Sequence, residues 1–404
     1  MTVFPISWGG WNAVHGGVRD GAEVGVRGAG WSGGGEPERV VPPVRDKPDA
    51  SLSSLSRHAA EGEAGLEERS RRPKTSPRQA AAEIEQAVVA VRERHPAWGG
   101  RKIAKVLERG GIKPPSPSTV TQILRRRGIA LGAFGHDAQA RGRFEHPRPN
   151  DLWQMDFKGH VPMRSGRLHP LTVLDDHSRY AIVLAACADE TAQTVKAHLI
   201  KAFRRYGLPW RMITDNGPPW GPAAATGLTG LGVWLIEQDI RISRSRPFHP
   251  QTLGKDERFH RTLNAEALSG PPFACLDEAG ASLERWRIVY NSERPHEALS
   301  LETPASRHTV SERSYQEQPQ PFAYAPGDVL RKVQDGRIAF RARRWRISKA
   351  FDGKTIALRP TATDGLHRVF FRARHIADLD LRDQNQQAQT VTDVSEQPSP
   401  ISPV

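Results

Sequence analysis

Three carboxylates lie in or just after apolar, strand-like runs or loop-to-helix junctions, and that placement constrains the fold most. Asp156 lies inside Leu152-Trp153-Gln154-Met155-Asp156-Phe157, and Asp215 closes Arg211-Met212-Ile213-Thr214. Glu257 follows the loop Pro247–Gly254, in the charged stretch Lys255-Asp256-Glu257-Arg258. Pattern and flanking turn residues put the two aspartates on strands and Glu257 early in a helix. Strands are expected at 152–157, His169–Asp176 and Tyr180–Ala186. An amphipathic helix Glu190–Tyr206 follows, with Val195, Leu199 and Phe203 inward. Then come a strand at Trp210–Thr214, a loop at Gly217–Gly232, a helix at about Leu231–Asp239, a strand at Ile240–Ser243 and the helix holding Glu257.

The order β-β-β-α-β-α-β-α implies an α/β fold, a mixed sheet with helices on its faces. There three carboxylates separated by 59 and 42 positions can converge. Buried together they repel and their pKa values rise. Hard divalent cations with oxygen ligands relieve that repulsion, and Mg2+ or Mn2+ suit such a site. Two such ions can activate a nucleophilic oxygen and stabilise the leaving oxygen of an in-line phosphoryl displacement. Lys255, Arg258, His260 and Arg261 stand beside Glu257 as candidate contacts to a phosphate backbone.

Charge points the same way. The chain carries a net +13, which suggests a polyanion as partner. Its two cysteines, Cys187 and Cys275, are far apart, which argues against a disulfide framework and a zinc knuckle. No apolar run has the length of a membrane span, and no secretory leader is visible, so a cytoplasmic, nucleoid-associated protein is expected.

Before the central region, residues 1–56 read as disordered: eleven of the first 35 residues are glycine, with no apolar period. Residues 57–77 read as a basic linker. Residues 78–135 carry three helical stretches. Ile84, Val88 and Val91 share one face of the first; Ile103, Val106 and Leu107 mark the second. Ser116 and Pro117 cap the third, which buries Val120, Ile123 and Leu124. The third helix exposes Thr119, Gln122, Arg125, Arg126 and Arg127, as the recognition helix of a helix-turn-helix does. Thr119 and Gln122 would face base edges, and the arginines phosphates.

After the central region (146–305) comes a polar linker, then short strands from Val329 to Phe371 with Asp-Gly turns at 335–336, 352–353 and 364–365. These suggest a small β-barrel over 322–381, made basic by Arg341, Arg343, Arg344 and Arg346. Residues 382–404 read as a disordered tail.

The segments WQMDFKGH, LTVLDDHSRY, ITDNGPP, RPFHPQTLGKDERFHRTL and YNSERPHEALSLETPASR resemble, in order, the blocks of bacterial insertion-sequence DDE transposases with a retroviral-integrase-like core. The resemblance implies a ribonuclease-H-like catalytic core, with Asp156, Asp215 and Glu257 as the metal-binding triad. It implies cleavage at transposon ends, then attack of the freed 3′-hydroxyl on target DNA. Two Mg2+ or Mn2+ ions, double-stranded DNA and a homodimer or higher oligomer are the implied cofactors and partners. The C-terminal barrel resembles one that binds DNA backbone in such proteins. Three departures stand out: Asn264 occupies a position that is often basic in the family, the Gly217–Gly232 loop lengthens the interval between Asp215 and Glu257, and residues 1–56 do not read as a first helix-turn-helix. The alternative is an inactive or regulatory DNA-binding derivative of such a transposase. A phage or retroelement integrase would bring a zinc module that two isolated cysteines do not supply.

Overall fold

In a computed structural model, the described residues are 48–67, 79–129, 145–215, 217–221, 227–244, 254–385 and 387–390. Asn216, His249, most of the loop before Glu257 and the ends 1–47 and 391–404 lie outside them. The chain divides into residues 1–77 and 78–404. In the first part, helix α1 (Pro48–Glu61) runs into a 3-10 turn at Gly62–Leu66. This departs from the expected disorder to residue 56 and linker from 57. The stretch from Ser51 to Ala60 holds leucines and alanines with no internal glycine or proline, which favours helix.

The second part opens with three helices, α2 (Ala82–Arg94), α3 (Gly100–Arg109) and α4 (Pro117–Arg126). Val88, Ile103, Leu107, Val120, Ile123 and Leu124 form their shared core, closed by the buried Trp98. The α3–α4 approach requires Gly100: a Cβ there would stand 2.4 Å from the Pro117 carbonyl oxygen. The Ser116 hydroxyl accepts the Thr119 N–H at 3.2 Å, so the serine cap and proline start read from sequence are both in place. Arg109 fastens this module to the central region by donating to the Leu301 carbonyl at 2.6 Å and to Glu302 at 3.2 Å.

The central sheet holds β1 (Leu152–Phe157), the short β2 (Val161–Pro162), β3 (Arg167–Asp175), β4 (Ala181–Cys187), β5 (Arg211–Thr214) and β6 (Arg241–Arg244). Strands β1, β3 and β4 are antiparallel neighbours; β5 and then β6 continue parallel to β1. Odd positions of β1 (Trp153, Met155) face a core shared with α5 (Ala192–Tyr206) and α6 (Gly230–Glu237). The opposite face, through Leu168, Leu174 and Leu184, packs on α7 (Gly254–Leu263) and α8 (Leu276–Ser292). This is the mixed α/β layering expected, with even positions of β1, Asp156 among them, turned toward α7. Of the expected loop at 217–232, the described part includes the buried Trp220, and its end is the first turn of α6.

Residues 306–320 are expected as a polar linker, but Ser311 and Arg313 are strapped along the core. The Leu208 N–H donates to the Arg313 carbonyl, and the Ser311 N–H to the Tyr206 carbonyl. The Arg313 guanidinium lies 4.4 Å from the Trp210 ring centre.

The C-terminal region folds as antiparallel strands β7 (Val329–Lys332), β8 (Arg337–Phe340), β9 (Arg343–Arg346), β10 (Thr355–Pro360), β11 (Leu366–Phe371), β12 (Arg374–Asp380) and β13 (Gln389–Thr390). Five of them form one sheet in the order β13-β12-β11-β10-β7, and the β8–β9 hairpin packs over it around Trp345, Phe351 and Val369. Strand β13 pairs with Ala377 and Asp378, so part of the expected tail belongs to the sheet. Its two residues gain backbone partners that composition alone does not reveal. Helix α6 turns Val233 and Ile236 to this core, and Lys354 pairs with Glu237.

Candidate active site

The β1–β5 register decides the geometry. Leu152 pairs with Arg211, Trp153 with Met212 and Gln154 with Ile213. Continuing that parallel register two residues sets Asp156 level with Asp215, and the two-residue strand repeat turns both side chains to one face. Asp156 feels the result: burial first, then the Asp215 charge, push its carboxyl up to about 7. Asp215 is raised by burial and by Glu190, while the Gly217 N–H donates to its Oδ1 at 3.1 Å. Glu190 also raises Asp156. It precedes α5 and was missed in the sequence, where nothing distinguishes it from a first-turn acid.

Across β1, the Thr172 hydroxyl donates to the Asp156 carbonyl at 2.9 Å. Thr172 has one hydroxyl hydrogen, so it accepts from His260 Nε2–H, 2.9 Å away. That fixes the neutral tautomer and leaves His260 Nδ1 bare, 4.0 Å from Asp156 Oδ2. Burial and then Lys158 hold this imidazole down at about 4. His260 was expected near a DNA backbone; its contacts place it against the carboxylate instead.

Helix α7 presents Asp256, not Glu257, to the interior. Asp256 is 1 % exposed, and neither carboxylate oxygen has a hydrogen-bond partner among the described residues. Burial, then Asp156, raises its pKa well above the ordinary range. Glu257 is exposed on the next helical position. Of the three expected acids, Asp156 and Asp215 interact, while Glu257 is exposed on α7. Among the described residues no group of three His, Cys, Asp or Glu side chains is arranged to hold a metal ion. The Asp156–Asp215 pair fits one hard divalent cation, since adjacent partly buried carboxylates with raised pKa values gain most from a positive charge.

The expected DNA contacts divide. Lys255 turns inward to the buried Asp176, which also accepts from Gln154 Nε2 and the His146 N–H. Its ammonium is pulled down to about 8 by burial, so it is a structural partner here. Arg126 and Arg127 clasp the buried Glu85 at 2.6 and 3.1 Å, fastening the end of α4 to α2. The Thr119 hydroxyl is 2.8 Å from Ser116 Oγ, within the cap. Gln122 and Arg125 are exposed on α4, and Arg258 and Arg261 on α7. Trp153 and Phe157 pack as core residues, the latter stacked on Trp220.

Comparison with known proteins bears on this arrangement. Two family models described as "Integrase core domain" match residues 146–250 and 238–304. Residues 146–304 are thus similar to integrase core domains. On either side of them, a "Homeodomain-like domain" model matches residues 54–124, and an "IS481 family transposase, C-terminal domain" model matches residues 328–387. The first of these begins within α1, so it takes in residues expected to be linker. An uncharacterized protein of insertion element IS407 from Burkholderia multivorans is 28 % identical over 166 residues, 40 % of this chain and 58 % of that protein. An uncharacterized protein of insertion element IS476 from Xanthomonas euvesicatoria is 29 % identical over 157 residues, 39 % of this chain and 44 % of that protein. The chain thus spans about half the length of these relatives. A structure of the HTLV-2 integrase catalytic core domain in complex with magnesium shares 20 % identity over 40 % of this chain and 98 % of that one, at a TM-score of 0.31. The relatives also include a Gag-Pol polyprotein of feline leukemia virus, 33 % identical over 133 residues, 32 % of this chain and 7 % of that protein. No helix among the described residues is long and apolar enough to cross a membrane.

Proposed function

We propose that this chain is a metal-dependent DNA transposase that cleaves transposon ends and joins the freed 3′-hydroxyl to target DNA. The observation that carries the reading is the level placement of Asp156 on β1 and Asp215 just after the parallel β5, with the Asp156 carboxyl pushed up to about 7. These two would hold divalent cations, Mg2+ or Mn2+, with Glu257 as the third ligand from α7. When bound, such ions neutralise the developing charge of an in-line phosphoryl displacement and activate the attacking oxygen. The chain's own residues prepare the place: Thr172 holds the Asp156 backbone carbonyl and orients His260 beside its carboxylate, and the Gly217 N–H fixes Asp215. Gln122 and Arg125 on α4 would approach the grooves and phosphates of transposon ends, and Arg258 and Arg261 the backbone near the site. Joining needs two ends held together, so the active form is a homodimer or larger on DNA.

One observation favours the second reading, an inactive or regulatory DNA-binding derivative: Glu257 is exposed, and no group of three acids among the described residues is arranged to hold a metal ion. A cleavage and joining assay separates the two. The substrate is a labelled duplex with the element's terminal repeat, with Mg2+, Mn2+ or EDTA, using the full chain and Glu257→Gln. Metal-dependent nicking and joining, lost in the variant, is expected. Binding without cleavage in the unaltered chain would overturn the transposase reading in favour of the derivative.

A further inference from the structure

Lys158 follows Asp156 by two residues, and the sheet fixes its place. Its N–H donates to the Pro170 carbonyl at 3.0 Å, so the β1–β3 ladder reaches this residue. Pro170 has no N–H to return, and Gly159, at φ +84°, turns the chain away. Side chains alternate along a strand, so Lys158 stands on the face of Asp156, toward α7. An effect on α7 agrees with that: the Lys158 charge helps to hold the His260 imidazole down.

The ammonium has no answering group. Among the described residues it makes no hydrogen bond and no ion pair, although the side chain is only partly exposed. Burial lowers its pKa. Its surroundings do not use the charge. His260 is bonded to the Thr172 hydroxyl, and the charges that move Asp156 are those of Asp215 and Glu190. Lys255, by contrast, is engaged by the buried Asp176. A partly desolvated cation without a partner carries a cost that an incoming anion removes, and the attraction is stronger there than in open water.

The geometry points to Lys158 as a catalytic residue that holds a phosphate of the strand being cut, one or two nucleotides from the scissile bond. It rests on the transposase reading above and names a substrate contact that the reading leaves unassigned. Along the strand, Lys158 is about 7 Å from Asp156. Successive phosphates of one DNA strand rise about 3.4 Å along the duplex axis. With the scissile phosphate at the aspartate pair, the ammonium therefore meets one of its neighbours. A lysine suits the place, since its ammonium is a compact charge whose donors turn to any phosphate oxygen. Holding the neighbour orients the scissile phosphate for in-line attack.

The test is cleavage by the full chain, with Mg2+, of a labelled duplex carrying the element's terminal repeat. One duplex is all-phosphate. In the others a single neutral methylphosphonate replaces, in turn, each phosphate flanking the scissile bond on the cut strand. Lys158→Gln should cut the all-phosphate duplex about 10- to 100-fold more slowly, the effect of losing one charge-assisted hydrogen bond. Lys158→Arg keeps the charge and should recover most of the rate. On the duplex whose contacted phosphate is neutral, the unaltered chain should be slowed and Lys158→Gln should lose nothing further. A loss of equal size on every duplex would overturn the assignment, since a side chain that only supports the fold is blind to which phosphate is neutral. An unchanged rate on the all-phosphate duplex would overturn it too. In both cases the transposase reading stands, because the unaltered chain still cuts. An unaltered chain that cuts no duplex would overturn that reading and the assignment together.

Discussion

The bare Nδ1 of His260 faces the Asp156 carboxylate at 4.0 Å because Thr172 holds the other ring nitrogen at 2.9 Å. The hydroxyl does two things at once, since it also donates to the Asp156 carbonyl. Removing it leaves a part-buried imidazole N–H unpaired beside the aspartate and frees the ring to turn. Thr172→Val should lower metal-dependent cleavage about 10- to 100-fold, the range for residues that orient metal-site neighbours. Duplex binding in EDTA should be unchanged. Cleavage at the rate of the unaltered chain would show that the orientation of His260 does not matter.

Asp156 should also impose a pH-dependent instability. Its folded-state value of about 7 stands above the ordinary 3.8, so folding favours the protonated acid. The favourable contribution is fully present below about pH 4 and is lost as pH rises to 7. Asp156→Asn removes that dependence. Without metal, the variant should exceed the unaltered chain by on the order of 2–4 kcal/mol at pH 8, the difference fading toward pH 4. Urea unfolding at both pH values measures it. A difference that does not change with pH would show that the carboxyl titrates as an ordinary surface acid.

How much of this was legible depends on how local each cause is. The aspartate pair could be read because each acid sits in or just after an apolar strand, and strand periodicity is a local property. The exposure of Glu257 was readable too, from a pattern that the triad reading passes over. Phe259 and Leu263 define the buried face of α7, and Asp256 is spaced three and seven residues from them. That spacing puts Asp256 inside and leaves Glu257 one step, about 100°, around the helix. Helix α8 was legible as well: Leu276, Ala279, Leu283 and Tyr290 recur at helical spacing, yet no element was assigned there. By contrast, the placement of Glu190 beside both aspartates and the Thr172–His260 contact depend on which strands and helices become neighbours. So do the Glu85 clasp on Arg126 and Arg127 and the pairing of β13, and spacing does not encode them.

Asp256 supplies a sharper test of that helix rotation. Both of its carboxylate oxygens are buried without partners among the described residues, near Asp156 and Asp176. An unpaired buried polar group costs about 1–3 kcal/mol. Asp256→Val should therefore stabilise the protein by about that amount at pH 8, measured by urea unfolding. Destabilisation would show that the carboxyl is held by a partner and that α7 is rotated so as to bring Glu257 inward.

Gly207 ties the core to the strap that follows it. Its φ is +74°, and a Cβ there would stand 2.8 Å from the carbonyl oxygens of both Ser311 and Arg313. Neither oxygen can yield cheaply. The Arg313 carbonyl accepts the Leu208 N–H at 2.8 Å, and Ser311 is held by its own N–H on the Tyr206 carbonyl at 2.9 Å. The Arg313 side chain meanwhile donates to the carbonyls of Pro209, Gln238 and Asp239. Gly207→Ala thus adds a backbone clash to the conformational strain, and about 2–4 kcal/mol of stability should be lost. The two contributions can be told apart by limited proteolysis. Displacement of the strap should speed tryptic cutting at Arg307 and Arg313 under conditions where the core stays folded. A modest loss of about 1–2 kcal/mol with unchanged cutting would mean that only the positive φ matters and that the strap can shift to admit a methyl group.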